Sequence, residues 1–275
     1  MLSESFKQRA ECEVNLFKKA ILYLRSAKKY FEEKTWYSKF KLIVVFTNED
    51  KVAICKYGKR PHIEVIPLGI KDEAEAASSG ISKDHSLLFV GNFLHSPNVD
   101  AVFYFYNKIW PLIKRYTPNV SLMVAGAAPP PDILRLAVLD SKISVTGYQK
   151  DLSQAYSGAR VFIAPIRYGT GMRFKILEAL MHGLPVVATS LGANGFIPTD
   201  SLRIAKTAEE FAEEVIYLLH NEENLRALGE SGEIFVKQYY NWDVILNRYE
   251  NVYRILLNDE ENKHGENDLC HYSNA

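Results

Sequence analysis

From residue 86 onward the chain repeats one pattern: a short run of branched apolar residues, then a longer segment with apolar positions three and four apart. SLLFVGN, VSLMVAG, KISVTGY, ARVFIAP and LPVVATS are the short runs, and LRIA is a shorter sixth. DAVFYFYNKIWPLIKRY, PPPDILRLAVLD and DLSQAYSGA lie between them, together with a segment in which Met172, Ile176, Ala179 and Leu180 share one helical face. Apolar runs without alternation are strands buried on both faces. A helix between successive strands makes them parallel. The expected fold is therefore α/β, a Rossmann-type parallel sheet with helices on both sides. Three helices follow: TAEEFAEEVIYLLHN, EENLRALGESGEIFVKQYY, and NWDVILNRYENVYRILLND, which ends near residue 259.

Upstream the pattern is thinner. Residues 1–37 are charged, and Leu16, Ala20, Leu22 and Leu24 with Tyr23 and Tyr30 predict one or two amphipathic helices. FKLIVVFTN and HIEVIPLGI read as strands, with a helix starting at Asn48, Glu49 and Asp50 between them. DEAEAASSGISKD, small and polar, reads as a linker over 72–84. The expected division is a first unit at 1–75, a main domain at 82–258, and a polar tail at 259–275 without stable order.

Global properties narrow the function. The 33 basic residues balance the 33 acidic ones, so no overall field favours nucleic acid. No apolar run reaches the roughly 20 residues of a membrane span. Cys12, Cys55 and Cys270 have no metal spacing and suit a reducing compartment. The N-terminus has no secretory pattern, so the expected location is cytoplasmic, with a peripheral membrane contact as its variant.

Ligands of an open parallel sheet sit beyond the carboxyl ends of its strands. Gly91, Gly126 and Gly147 stand at three of those ends, admitting either a close backbone approach or a tight turn. The fourth loop, IRYGTGMRFK, is more specific. Gly169 and Gly171 flank Thr170 and a helix begins at once, which leaves free amides and a partial positive charge near 171–173. Arg173 and Lys175 then fall at the wrong end of the helix dipole, unless an anion answers them. Glu178 lies three residues beyond Lys175, so the plain alternative is a surface pair. His95 and His182 are isolated, and His182 suits a helix C-terminus as well as a site. No P-loop, complete dinucleotide fingerprint, zinc motif or nucleophile elbow is present.

FVGNFLHSPNVDAV and VTGYQKDLSQAYSGARVFIAPIRYGTGMRFKILEALMHGLPVVATSLGANG resemble the donor-binding domain of family-4 retaining glycosyltransferases of the GT-B fold, with a G-x-G-x-R-x-K-x-x-E-A signature. The resemblance covers 85–256, and more weakly 35–70, which is similar to the end of that family's N-terminal domain. It implies a GT-B-like chain with a truncated N-terminal α/β portion. It also implies a UDP- or GDP-linked sugar as donor, a sugar or glycolipid acceptor, no metal and no cofactor.

By the same resemblance, Gly171, Met172 and Arg173 offer amides to the diphosphate, with Arg173 and Lys175 as the catalytic charges. Glu178 holds the ribose, and Gly147 and Tyr148 lie near the base. Gly91, Asn92 and Thr170 complete the site. Thr170 stands where the family often has a glutamate; Asn92, Pro97 and Asn98 stand where many members carry an Arg and a Lys. The family's N-terminal glycine-rich loop, acceptor site and histidine have no counterpart. Two alternatives follow: a nucleotide-sugar-binding subunit needing a separate acceptor domain, and a GT-B sugar epimerase. A homo-oligomer or a partner chain supplying the acceptor domain is the corresponding expectation.

Overall fold

The computed structural model describes residues 2–58, 62–71, 86–196 and 199–271, with side chains described as far as residue 257. The linker expected at 72–84 lies outside the described residues. Two sheets form. β1 (Leu42–Val45), α3 (Asn48–Cys55) and β2 (His62–Val65) make a βαβ unit whose strands pair in parallel, Leu42 opposite His62 and Val45 opposite Val65. The second sheet comprises β3 (Ser86–Val90), β4 (Ser121–Ala125), β5 (Ile143–Gly147), β6 (Val161–Ala164), β7 (Val186–Thr189) and β8 (Arg203–Ala205). Its order is β5-β4-β3-β6-β7-β8, all parallel. The chain winds outward from β3 to β5, then returns past β3 to start again at β6. The strand order reverses between β3 and β6, which opens a crevice at their carboxyl ends.

The pleat explains the covering. Leu87 and Phe89 of β3 enter one core with α4 (Ser96–Tyr104), α5 (Trp110–Tyr116), α6 (Pro131–Leu139) and α9 (Ala208–His220). Leu88 and Val90 enter the opposite core with α7 (Ser153–Ser157), α8 (Phe174–Met181) and α10 (Glu222–Tyr239). All four residues of the inner strand β6 are buried, whereas the edge strand β5 alternates, with Ile143 buried and Ser144 exposed. The segment expected as one continuous helix over residues 100–116 instead starts at Ser96 and contains a π-helical turn, Phe105–Ile109. Pro111 causes it: proline has no N–H for the Asn107 carbonyl, and its ring would clash with that carbonyl in a regular helix.

α1 (Leu2–Cys12) and α2 (Leu16–Tyr37) pair as a hairpin beside the βαβ unit. Tyr30 and Tyr37 of α2 pack with Tyr57 on the small core of Val45, Ile54 and Ile63. A polar latch ties the pieces. Glu33 accepts from the Leu2 amide (2.7 Å), the Tyr57 hydroxyl (2.7 Å) and the Ser3 hydroxyl. Burial pushes this carboxyl up, but the bonds from Ser3, Tyr57 and Leu2 outweigh it and hold it below the usual range. α11 (Trp242–His271) leaves the main domain where the Ile70 amide meets the Tyr240 carbonyl at 2.7 Å. It runs through most of the segment expected to lack order; an existing helix propagates without a new nucleation cost. Residues 272–275 of that expected tail lie outside the described residues.

Candidate functional site

The loops after β3 and β6 diverge around a cleft of about 930 Å³. Asn92, Tyr148, Thr170, Lys175 and Glu178 line the sheet side, and Phe6 and Arg9 of α1 face them. Close backbone approach shapes the floor. A Cβ on Gly126 would lie 1.9 Å from the Gly91 carbonyl oxygen, and one on Gly91 would lie 2.8 Å from Asn98 Cγ. Gly147 has φ +70° with open space around it, so there the turn conformation, and no neighbour, requires glycine.

Gly169 (φ +117°) and Gly171 (φ +80°) take conformations that side chains rarely adopt, and they fold the 169–173 loop back on itself. The loop then closes on Arg173. Its guanidinium donates to the carbonyls of Thr170 (2.8 Å), Gly171 (2.6 Å) and Gly169 (3.0 Å). Arg173 was expected in the first helical turn, but it is the cap residue just outside α8. A fork of donors binds three carbonyls together, so Arg173 organises the loop that presents the α8 amides, which have no helical partners.

Lys175 is placed differently. Its Nζ donates to Asn98 Oδ1 at 2.6 Å and sits 4.3 Å from the centre of the Phe89 ring. Loss of solvent pushes this ammonium down to about 7; Arg173 adds to the shift and Glu178 opposes it. A cation so incompletely compensated favours an anion in the cleft. Asn98 is held in turn, its Nδ2 donating to the Asn92 carbonyl at 2.7 Å. Glu178 accepts from the Tyr156 hydroxyl at 3.0 Å. Burial and the Glu178 charge both raise the Tyr156 pKa, so this phenol stays a donor. His182 caps α8 and stacks on Tyr156, with ring centres 4.9 Å apart at 12°. Gln8 of α1 accepts from the Gly169 amide at 2.9 Å.

The cleft thus gathers Gly91, Asn92, Tyr148, Thr170, Met172, Arg173, Lys175 and Glu178. Gly171 and Gly147 are at its margin: Gly171 lines a small neighbouring cavity and Gly147 ends β5. Three supporting contacts were not foreseen. The sequence places Asn98 before a helix and where many family members carry a cation, and it singles out neither Tyr156 nor Gln8. No group of three or more His, Cys, Asp or Glu is arranged to hold a metal among the described residues. Among them no helix is long and apolar enough to cross a membrane.

Residues 84–221, about half of the chain, match the family described as glycosyl transferases group 1. The chain belongs to that family. A curated relative, an uncharacterised 44.6 kDa protein in the cps region of Klebsiella pneumoniae, is 25% identical over 165 residues, which cover 57% of this chain and 42% of the relative. Among solved structures, TarM of S. aureus superposes with a TM-score of 0.68 at 16% identity, covering 82% of this chain and 45% of TarM. Sucrose-phosphate synthase from Thermosynechococcus elongatus gives 0.66 at 20% identity, covering 85% of this chain and 62% of that one. The pneumococcal O-GlcNAc transferase GtfA, solved with UDP and GlcNAc, gives 0.65 at 19% identity, covering 82% of this chain and 47% of that one. The chain therefore spans under half the length of the curated relative and of TarM. Within this group 1 family the fold is GT-B-like, and the six-stranded unit is a Rossmann-type parallel sheet domain.

Proposed function

We propose that the chain binds a UDP- or GDP-linked sugar in the cleft between β3 and β6 and transfers a hexose-type sugar to an acceptor with retention. The observation that carries this reading is Lys175, a half-buried cation lowered to about 7, beside the amides of a helix start. A diphosphate supplies the missing negative charge. In transfer, the bond between the anomeric carbon and the phosphate oxygen breaks and its electron pair leaves on the diphosphate. Lys175 and the α8 amides stabilise that growing charge. The acceptor hydroxyl forms the new glycosidic bond and passes its proton to the departing diphosphate oxygen. Glu178, oriented by Tyr156, accepts from the ribose hydroxyls, and Tyr148 borders the base. Since protein cations answer the phosphate charge, the reaction needs no metal, and chelation should leave it unchanged. The acceptor is a sugar or glycolipid in polysaccharide or glycoconjugate synthesis, a setting supported by the relative's place in a cps region.

Calorimetry with UDP, GDP and pyrophosphate tests the donor reading. The nucleotides should bind wild type and lose about 1.5–3 kcal/mol in Lys175→Ala, the range for hydrogen bonds to charged groups. Equal affinity in both proteins would remove the donor assignment. Release of nucleoside diphosphate from its sugar conjugate, with and without added acceptor, separates a transferase from a binding subunit.

A further inference from the structure

α1 lies along the loop that leads into α8. Gln8 Oε1 accepts from the Gly169 amide at 2.9 Å, and the Cys12 thiol donates to the Arg167 carbonyl at 3.8 Å. Between these contacts the Arg9 guanidinium stands over the ring of buried Tyr168, 5.9 Å from its centre. α1 thus meets residues 167, 168 and 169 in turn. Its other faces are divided. Ser3 and Ala10 are buried, and Ser3 belongs to the Glu33 latch. Leu2, Ser5, Phe6 and Arg9 fall on one helical face and line the cleft.

The charges in the cleft are committed unequally. Among the described residues its Arg and Lys side chains are Arg9, Arg173 and Lys175. Arg173 is spent on the carbonyls of Gly169, Thr170 and Gly171. Lys175 is held by Asn98 and presents a single point charge. Arg9 differs from both. Among the described residues its guanidinium forms no hydrogen bond and no ion pair beyond the contact with Tyr168. A ring contact restrains an arginine without occupying its N–H donors, and a restrained side chain loses less entropy when it binds a ligand. Those donors match the oxygens of a phosphate two at a time.

We propose that Arg9 is a donor-binding residue, its guanidinium meeting the diphosphate from α1 while Lys175 meets it from the sheet. This contact rests on the donor reading and adds to it a residue from the N-terminal hairpin. Two consequences set Arg9 apart from Lys175. Arg9 is the more exposed, so salt screens its share of the binding more strongly. It also sits on a different element, so a bound nucleotide ties α1 to the α8 loop and opposes local opening of α1.

Calorimetry with UDP, GDP and pyrophosphate on wild type, Arg9→Met, Arg9→Lys and Lys175→Ala tests it. Methionine keeps an unbranched stem over Tyr168 and removes the charge. Arg9→Met should lose about tenfold in affinity for the nucleotides and for pyrophosphate alike at low salt, as expected for a hydrogen bond to a charged group. The loss should shrink as salt is added, while the melting temperature of the free protein stays unchanged. Arg9→Lys keeps the charge without the fork and should fall between the two. In hydrogen exchange, UDP should slow α1 in wild type and slow it less in Arg9→Met at equal saturation. If Arg9→Met binds every ligand as wild type does while Lys175→Ala loses them, the Arg9 contact is overturned and the donor reading stands. A loss in Arg9→Met that salt does not change would also overturn it, since that would report packing on Tyr168 and not charge. No binding of any of the three ligands by wild type would remove the donor reading and this contact with it.

Discussion

The two halves of the molecule are held together by different physics. In the six-stranded half, β6 is buried at every position and the sheet has an apolar core on each face. In the βαβ half, Val45 is the one buried residue of β1, and the small core of Val45, Ile54, Tyr57 and Ile63 is completed by Tyr30, Tyr37 and the Glu33 latch. A parallel sheet stabilised by burial needs both faces covered. The two-stranded unit lacks such cover, so hydrogen bonds to one carboxylate do part of the work. The consequence is uneven stability: the six-stranded half should open only globally, and the α1–α2–βαβ half should open first.

The largest expected effect breaks the stronger half. Phe162→Ala removes a fully buried ring from the centre of β6 and should cost about 3–5 kcal/mol. Denaturant unfolding would show it; a loss under 1 kcal/mol would mean the sheet core is looser than its burial implies. Next in size, Lys175→Ala should weaken nucleoside diphosphates by about 1.5–3 kcal/mol while sparing the melting temperature, because the lysine is strained by desolvation rather than stabilising. Glu33→Gln should then cost about 1–2 kcal/mol in the weaker half alone. Hydrogen exchange should accelerate in α1, α2 and β1 and leave β3 to β8 unchanged; uniform acceleration would show that the halves unfold as one.

Acid should act in the same place. The Glu33 carboxyl is lowered in the folded state, so its contribution is complete above the ordinary glutamate value and is lost as pH falls through the lowered one. Protection of α1 should decline first as pH falls below the ordinary glutamate value and through the lowered one, where Glu33 gains its proton. The smallest effect belongs to Glu178→Gln: about a three- to fivefold loss for UDP and none for pyrophosphate, which has no ribose. Equal losses for both ligands would move Glu178 to the phosphates.

The same contrast governs what was legible in the sequence. Buried parallel strands show themselves as unbroken apolar runs, so all six strands of the main sheet and the site loop at Gly169–Gly171 could be read directly. The π-helical turn was hidden because the apolar spacing of residues 100–116 runs on past Pro111 and carries no mark of the register change there. The end of α11 was hidden because its residues show no apolar period. In the site, the residue types announced an anion cradle, but not which charge would be spent on the loop. Arg173 closes on carbonyls two to four residues away, and Lys175 reaches Asn98, 77 positions earlier in the chain. Spacing along one helix cannot reveal contacts that only the reversal of strand order creates. Tyr156, holding Glu178 from the neighbouring helix, is another of these.

The most direct test of the donor cleft is the pH dependence of UDP binding in wild type and Lys175→Arg. Lys175 titrates near 7 in the free protein, well below its ordinary value, and a bound diphosphate favours the charged form. Wild-type affinity should therefore fall as pH rises from 7 to about 9, with a proton taken up on binding in that window. The uptake would appear as a dependence of the heat of binding on buffer ionisation enthalpy. Arginine stays charged throughout, so Lys175→Arg should bind with a flat profile and no proton uptake. A wild-type profile as flat as that of the variant would contradict the placement of the diphosphate against Lys175.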